Sequence, residues 1–95
     1  MTAYVIAEVE VTDPETYEHY RRDVPSTLAP FGGRFIVRGG AAEALEGDWQ
    51  PKRLVVLEFP DRAAASAWWS SEAYAAPKAL RQHSARTRLL IVDGV

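Results

Sequence analysis

Four short β-patterned runs are separated by one long amphipathic helix and one alanine- and tryptophan-rich helix, in the order strand, helix, strand, strand, helix, strand. The runs are Tyr4 to Val11, Arg34 to Arg38, Arg53 to Phe59 and Arg88 to Val92. Each carries the β-branched and aromatic residues that suit a pleated, half-buried surface. Two strand–helix–strand units, the second repeating the order of the first, form a split βαβ sandwich with right-handed crossovers and both helices on one face of the sheet. The expected class is α+β, a four-stranded antiparallel sheet covered on one side only.

The first helix is announced by Thr12-Asp13-Pro14-Glu15. Asp13 caps the free N–H groups, Pro14 sits in the first turn where no donor is needed, and Glu15 meets the positive end of the dipole. Tyr17, Tyr20, Val24, Leu28 and Phe31 then recur at helical spacing as one apolar stripe, with Pro25 a kink point and Pro30-Phe31-Gly32-Gly33 the stop. Gly39-Gly40 closes the second strand, as a bulge or tight exit, and Ala41 to Gln50 is a wide turn-rich connection. Asp61 caps the second helix, which runs through Trp68 to a break at Ser70-Ser71, followed by a short helix from about Pro77 to Ala85.

Alternation along the strands predicts what the bare face carries. With Val5, Ala7, Val9, Phe35, Val37, Val55, Leu57, Phe59, Leu89 and Ile91 toward the helices, the other side holds Tyr4, Ile6, Glu8, Glu10, Ile36, Arg38, Leu54, Val56, Glu58, Leu90 and Val92. Seven of these eleven are apolar or aromatic. At roughly 25 cal/mol per Å², covering such a patch is worth on the order of ten kcal/mol before entropy is subtracted, so a homodimer joining two such faces is expected.

A length of 95 residues suits one domain whose core is marginal without staples or a partner. There is no cysteine, hence no disulfide or thiolate metal site, and no apolar span or signal-like start, so a soluble, cytoplasmic protein is expected. A net charge of −2 with no basic stripe gives no footprint for nucleic acid or an anionic membrane. The two histidines, His19 and His83, are far apart and lack ligand spacing, so neither a metal nor any other cofactor is called for.

Several separated motifs agree in order and spacing with one bacterial family. Gly32-Gly33-Arg34-Phe35-Ile36-Val37-Arg38-Gly39-Gly40, Leu45-Glu46-Gly47-Asp48-Trp49, Arg53, Glu58-Phe59-Pro60 and Ala67-Trp68-Trp69-Ser70-Ser71-Glu72-Ala73-Tyr74 resemble the bacterial domain of unknown function family 1330. The match extends from Tyr4-Val5-Ile6-Ala7 to Leu90-Ile91-Val92-Asp93-Gly94-Val95. The resemblance implies a ferredoxin-like domain that pairs into a dimeric α/β barrel, and it implies almost no chemistry. Pro77 departs from the pattern, standing where such chains continue helically.

Candidate site residues follow from residue type. Arg38 is a ligand-binding cation, with ion pairing to Glu8, Glu10 or Glu58 as its structural alternative. Glu58, between Leu57 and Phe59, is the general-base candidate because burial raises a carboxyl toward neutrality; a Glu58–arginine salt bridge is the alternative. Trp49, Trp68, Trp69 and Tyr74 suit either a cleft for a flat organic ligand or the core. Trp68 and Trp69 lie about 100° apart around a helix, so one faces the sheet and the other the rim near the Trp49 loop. The leading expectation is a homodimer that binds a small aromatic or carboxylated metabolite. One alternative is a cofactor-independent monooxygenase or isomerase, by fold analogy; another is an accessory dimer module without a ligand.

Overall fold

The computed structural model describes residues 1–95. Its elements are β1 (Ala3–Val11), α1 (Pro14–Leu28), a single 3-10 turn over Ala29–Phe31, β2 (Arg34–Arg38), β3 (Leu54–Phe59), α2 (Arg62–Trp69), α3 (Glu72–Ser84) and β4 (Ala85–Asp93). The sheet is antiparallel throughout in the order β2-β3-β1-β4, and the helices lie on one face, giving a slab of 36 × 35 × 16 Å. This is the ferredoxin-like α+β arrangement expected from the order of elements.

The caps form as their residue types dictate. Asp13 accepts from the Thr16 amide and hydroxyl, Asp61 accepts from the Ala64 amide at 2.8 Å, and Ser71 accepts from the Tyr74 amide at 3.2 Å. Ser71 is therefore the start of a helix of 13 residues, α3, and not merely the break after α2. The expected short helix from Pro77 begins five residues too late: Pro77 lies inside α3 and is buried, because that position faces the packed side.

The core sits between sheet and helices. Val5, Leu57, Phe59, Val24, Leu28, Ala65, Trp68 and Tyr74 form its main cluster, with a second around Ala7, Val9, Tyr17 and Ala85. Trp68 stacks against Tyr74 with ring centroids 4.0 Å apart, and its indole N–H donates to the Thr27 hydroxyl at 3.0 Å, so the one polar atom of this buried ring is satisfied. Alternation holds along β1, β3 and β4, but not along β2.

The break in β2 is a β-bulge. Phe35 pairs with Leu57 and Val37 with Val56, so Ile36 is an extra residue on the strand. One extra residue reverses the side of everything after it. Val37, expected toward the helices, lies on the open face opposite Val56, while Arg38, expected on the open face, pairs with Val55 on the helix side. Gly39 then leaves the strand with φ +74, a left-handed conformation that glycine adopts freely, and a side chain there would strike the Arg53 guanidinium.

Candidate functional site

Arg38 enters the space between the layers and meets a vacancy in α1. Pro25 has no N–H, so the carbonyl four residues before it, that of Arg21, loses its helical donor. The Arg38 Nη2 donates to that carbonyl at 2.6 Å, and its guanidinium lies 4.2 Å over the Phe35 ring. The bulge in β2 and the proline in α1 thus act on the same side chain. Three further arginines approach the same space. Arg53, just before β3, donates from Nε to the Tyr17 hydroxyl at 3.2 Å; Arg81, on the buried side of α3 at 7% exposure, donates from Nε to the Tyr74 hydroxyl at 3.4 Å; Arg21 reaches in from α1.

These groups border a partly open cavity of about 30 Å³, measured as the room open to the centre of a water molecule. Its other walls are mostly apolar, with Trp68, Val55 and Leu57 among them, and the polar remainder is the phenols of Tyr17, Tyr20 and Tyr74. No aspartate or glutamate lines it. Arg21 pairs with Glu18 at 3.1 Å on the outer surface, but Arg38, Arg53 and Arg81 form no ion pair. Burial holds the Arg38 guanidinium below its usual pKa, and the charges of Arg21 and Arg53 lower it further. The Nε of Arg21 is buried and has no hydrogen-bond partner.

Two of the phenols are hydrogen-bonded to each other. Tyr20 and Tyr74 hydroxyls are 2.9 Å apart, and Tyr74 is fully buried. Burial pushes the Tyr20 hydroxyl well above the ordinary phenol range, and the neighbouring Tyr74 raises it further, so Tyr20 stays neutral at any physiological pH.

On the open face every carboxylate is matched. Glu58 pairs with Arg34 at 2.8 Å; Glu8 accepts from Arg88 Nε at 2.9 Å and from the Trp49 indole; Glu10 pairs with Lys52 at 2.7 Å and, more loosely, with Arg86 at 3.8 Å. The Trp49 hydrogen bond, followed by that of Arg88, holds the Glu8 carboxyl below its usual range, and Lys52 does the same for Glu10. The two faces thus differ in sign: paired acids on one, unpaired guanidiniums on the other.

The expected site residues divide between these faces. Arg38, Trp68 and Tyr74 come together around the interlayer cavity. Glu58 and Trp49 do not join them, since both lie on the open face. The expected meeting of Arg38 with Glu58 does not occur, because the bulge at Ile36 puts them on opposite sides of the sheet; Glu58 takes Arg34 instead, the salt-bridge alternative. Trp69 is at the outer rim beside β4, its ring 3.8 Å from the Lys78 ammonium, and not beside the Trp49 loop. Arg53, Arg81 and Tyr20 are not among the expected site residues, although Tyr20 belongs to the apolar stripe of α1 and Arg53 to the family motifs. The odd parity of Arg53 with Val55 and Leu57, and the placement of Arg81 seven residues after Tyr74, were the available signals. His19 and His83 are exposed, and no three His, Asp or Glu side chains converge as a metal would require.

The fold and the cleft define a small ferredoxin-like domain with an arginine- and tyrosine-lined cavity between its layers. The chain belongs to the family described as Domain of unknown function (DUF1330), whose model matches residues 2–95. No functionally curated protein matches it. Among solved structures it is similar to RPA0582, a protein of unknown function from Rhodopseudomonas palustris, with 20% identity, a TM-score of 0.78, and 99% of this chain and 82% of that one covered. It is also similar to SnoaB, a cofactor-independent oxygenase from Streptomyces nogalater, with 10% identity, a TM-score of 0.67 and coverage of 99% and 93%. A dimeric ferredoxin-like protein of unknown function from Jannaschia sp. CCS1 gives 13% identity, a TM-score of 0.67 and coverage of 99% and 100%. At these identities the likeness is one of fold. No helix of the chain is long and apolar enough to cross a membrane.

Proposed function

We propose that this protein is a homodimer that binds a small carboxylate-bearing metabolite in the interlayer cleft of each protomer. The observation that carries the reading is that Arg38, Arg53 and Arg81 border one small cavity with no acid in its lining, although acids are paired everywhere on the other face. Arg81 is buried and Arg38 and Arg53 are half-buried, all without a counter-charge, which is costly, and a bound anion offsets that cost. The dimer is supported by the exposed Ile36, Val37, Leu90 and Val92 on the helix-free face and by a core of only 17 buried residues in 95, small for a chain that must stand alone. The neighbour from Jannaschia is itself described as dimeric.

The cavity favours a carboxylated ligand over an aromatic one, since a benzene-binding cavity runs to about 150 Å³ and this one has about 30 Å³. Turnover of the SnoaB kind is supported by fold alone, and Glu58, the expected base, stands outside the cleft in an ion pair. The unpaired arginines favour a ligand over a bare accessory module.

The test is thermal unfolding in chloride-free buffer at fixed ionic strength. Acetate raises the wild-type Tm and acetamide does not, as expected of a ligand bound only by the folded state, and Arg38→Met abolishes the difference. Equal effects of acetate and acetamide, or an unchanged acetate effect in Arg38→Met, contradict the proposal.

A further inference from the structure

The tyrosine pair has one more hydroxyl proton than it has protein acceptors. Tyr74 is fully buried, and its hydroxyl has two partners, Arg81 and Tyr20. A guanidinium donates and cannot accept. The Tyr20–Tyr74 bond uses one of the pair's two protons in either direction, and Arg81 donates to Tyr74, so the other proton has no protein acceptor, which is costly. Both tyrosines border the cavity, and Tyr20, the less buried of the two, is the one placed to offer that proton to a ligand. Its raised pKa keeps that proton in place.

Size restricts what accepts it. One ordered water needs about 10–15 Å³ of such room, so about 30 Å³ holds roughly two to three water-sized groups. That is the bulk of a two-carbon acid. Within so small a space, guanidiniums and the Tyr20 hydroxyl reach adjacent atoms of one ligand, and guanidinium matches carboxylate geometry.

We infer that the cleft takes a two-carbon 2-oxo or 2-hydroxy carboxylate, its carboxylate held by Arg38 and Arg53 and its 2-oxygen accepting from the Tyr20 hydroxyl. This rests on the reading of the cleft as a carboxylate site and adds the demand for a second oxygen. Sites built to hydrogen-bond one ligand oxygen discriminate against analogues that lack it, because the protein group is left unpaired.

The experiment is calorimetric titration of the protein, in chloride-free buffer, with acetate, glycolate and propionate, the isostere of glycolate that lacks the 2-oxygen. Glycolate binds roughly tenfold or more tightly than acetate or propionate. Tyr20→Phe, which keeps the ring and its packing, erases that preference while retaining acetate binding. Equal affinities for acetate and glycolate in the wild type overturn the 2-oxygen inference and leave the carboxylate site standing. A preference that survives in Tyr20→Phe overturns the role given to Tyr20. Absence of binding by all three acids overturns both readings.

Discussion

Arg34 and Arg38 stand four residues apart on one strand and end in opposite settings. Arg34 meets Glu58 in a largely exposed ion pair, whereas Arg38 has a carbonyl, an aromatic face and two other cations. Exposed pairs such as Arg34–Glu58 contribute little to stability, about 0–1 kcal/mol. The ion-paired acids do set the acid limit of the fold. Glu8 and Glu10 have folded pKa values below the ordinary 4.5, and Asp93, lowered chiefly by the Arg62 hydrogen bond, lies below 3.8. A lowered carboxyl favours the folded state above its unfolded pKa, and this is lost as pH falls through the folded value. Stability therefore declines only from about pH 4.5 downward; Glu8→Gln lowers the Tm at pH 7 and reduces the acid slope, as urea titrations across pH 2–7 will show. Tyr20 has the opposite sign. Its raised pKa leaves stability whole below pH 10 and erodes it above, where the unfolded phenol ionises from its ordinary value of 10.0. Tyr20→Phe flattens that alkaline decline. Trp68→Ala opens the centre of the core and costs about 3–5 kcal/mol, measurable by chemical denaturation.

Among the elements, those with periodic faces and clear caps were legible in the sequence, and those that depend on a partner strand were not. Asp13-Pro14 and Asp61 mark their helices by local chemistry alone. The bulge at Ile36 has no such mark, because Arg34-Phe35-Ile36-Val37-Arg38 reads as an unbroken strand and the irregularity exists only against β3. That single unreadable residue moved Arg38 across the sheet and removed Glu58 from its company. The site was thus half legible: Arg38, Trp68 and Tyr74 by type, but not Arg53, Arg81 or Tyr20, which tertiary packing alone brings together. The prolines follow the same rule. Pro25 was legible as a break in the α1 ladder, while the use made of it, a free Arg21 carbonyl for Arg38, was not. Pro25→Ala restores a helical donor to that carbonyl. It should raise the intrinsic stability of α1 and weaken the acetate-induced rise in Tm, because Arg38 then competes for its anchor; an undiminished acetate effect would separate Pro25 from the site. Ser71→Ala removes the α3 cap and costs about 1 kcal/mol in the same denaturation assay.

For the molecule as a whole, the two faces of one sheet carry two tasks. The face without helices is apolar and rimmed by ion pairs, the pattern of a surface that a second copy covers. On the dimer proposal, light scattering at micromolar concentration gives twice the mass of the chain, and Val56→Asp, which puts a charge in the seam opposite Val37, gives a monomer or an unfolded chain. A wild-type monomer that stays folded counts against it. The covered face borders the arginine cleft, which on the proposed function is a receptor for an anion. Anomalous scattering from crystals grown in bromide locates that anion. A bromide peak is expected within the cavity, beside the guanidiniums of Arg38, Arg53 and Arg81, and is expected to vanish in Arg38→Met; bromide confined to the outer surface, with only water or nothing between the layers, overturns the anion-receptor proposal.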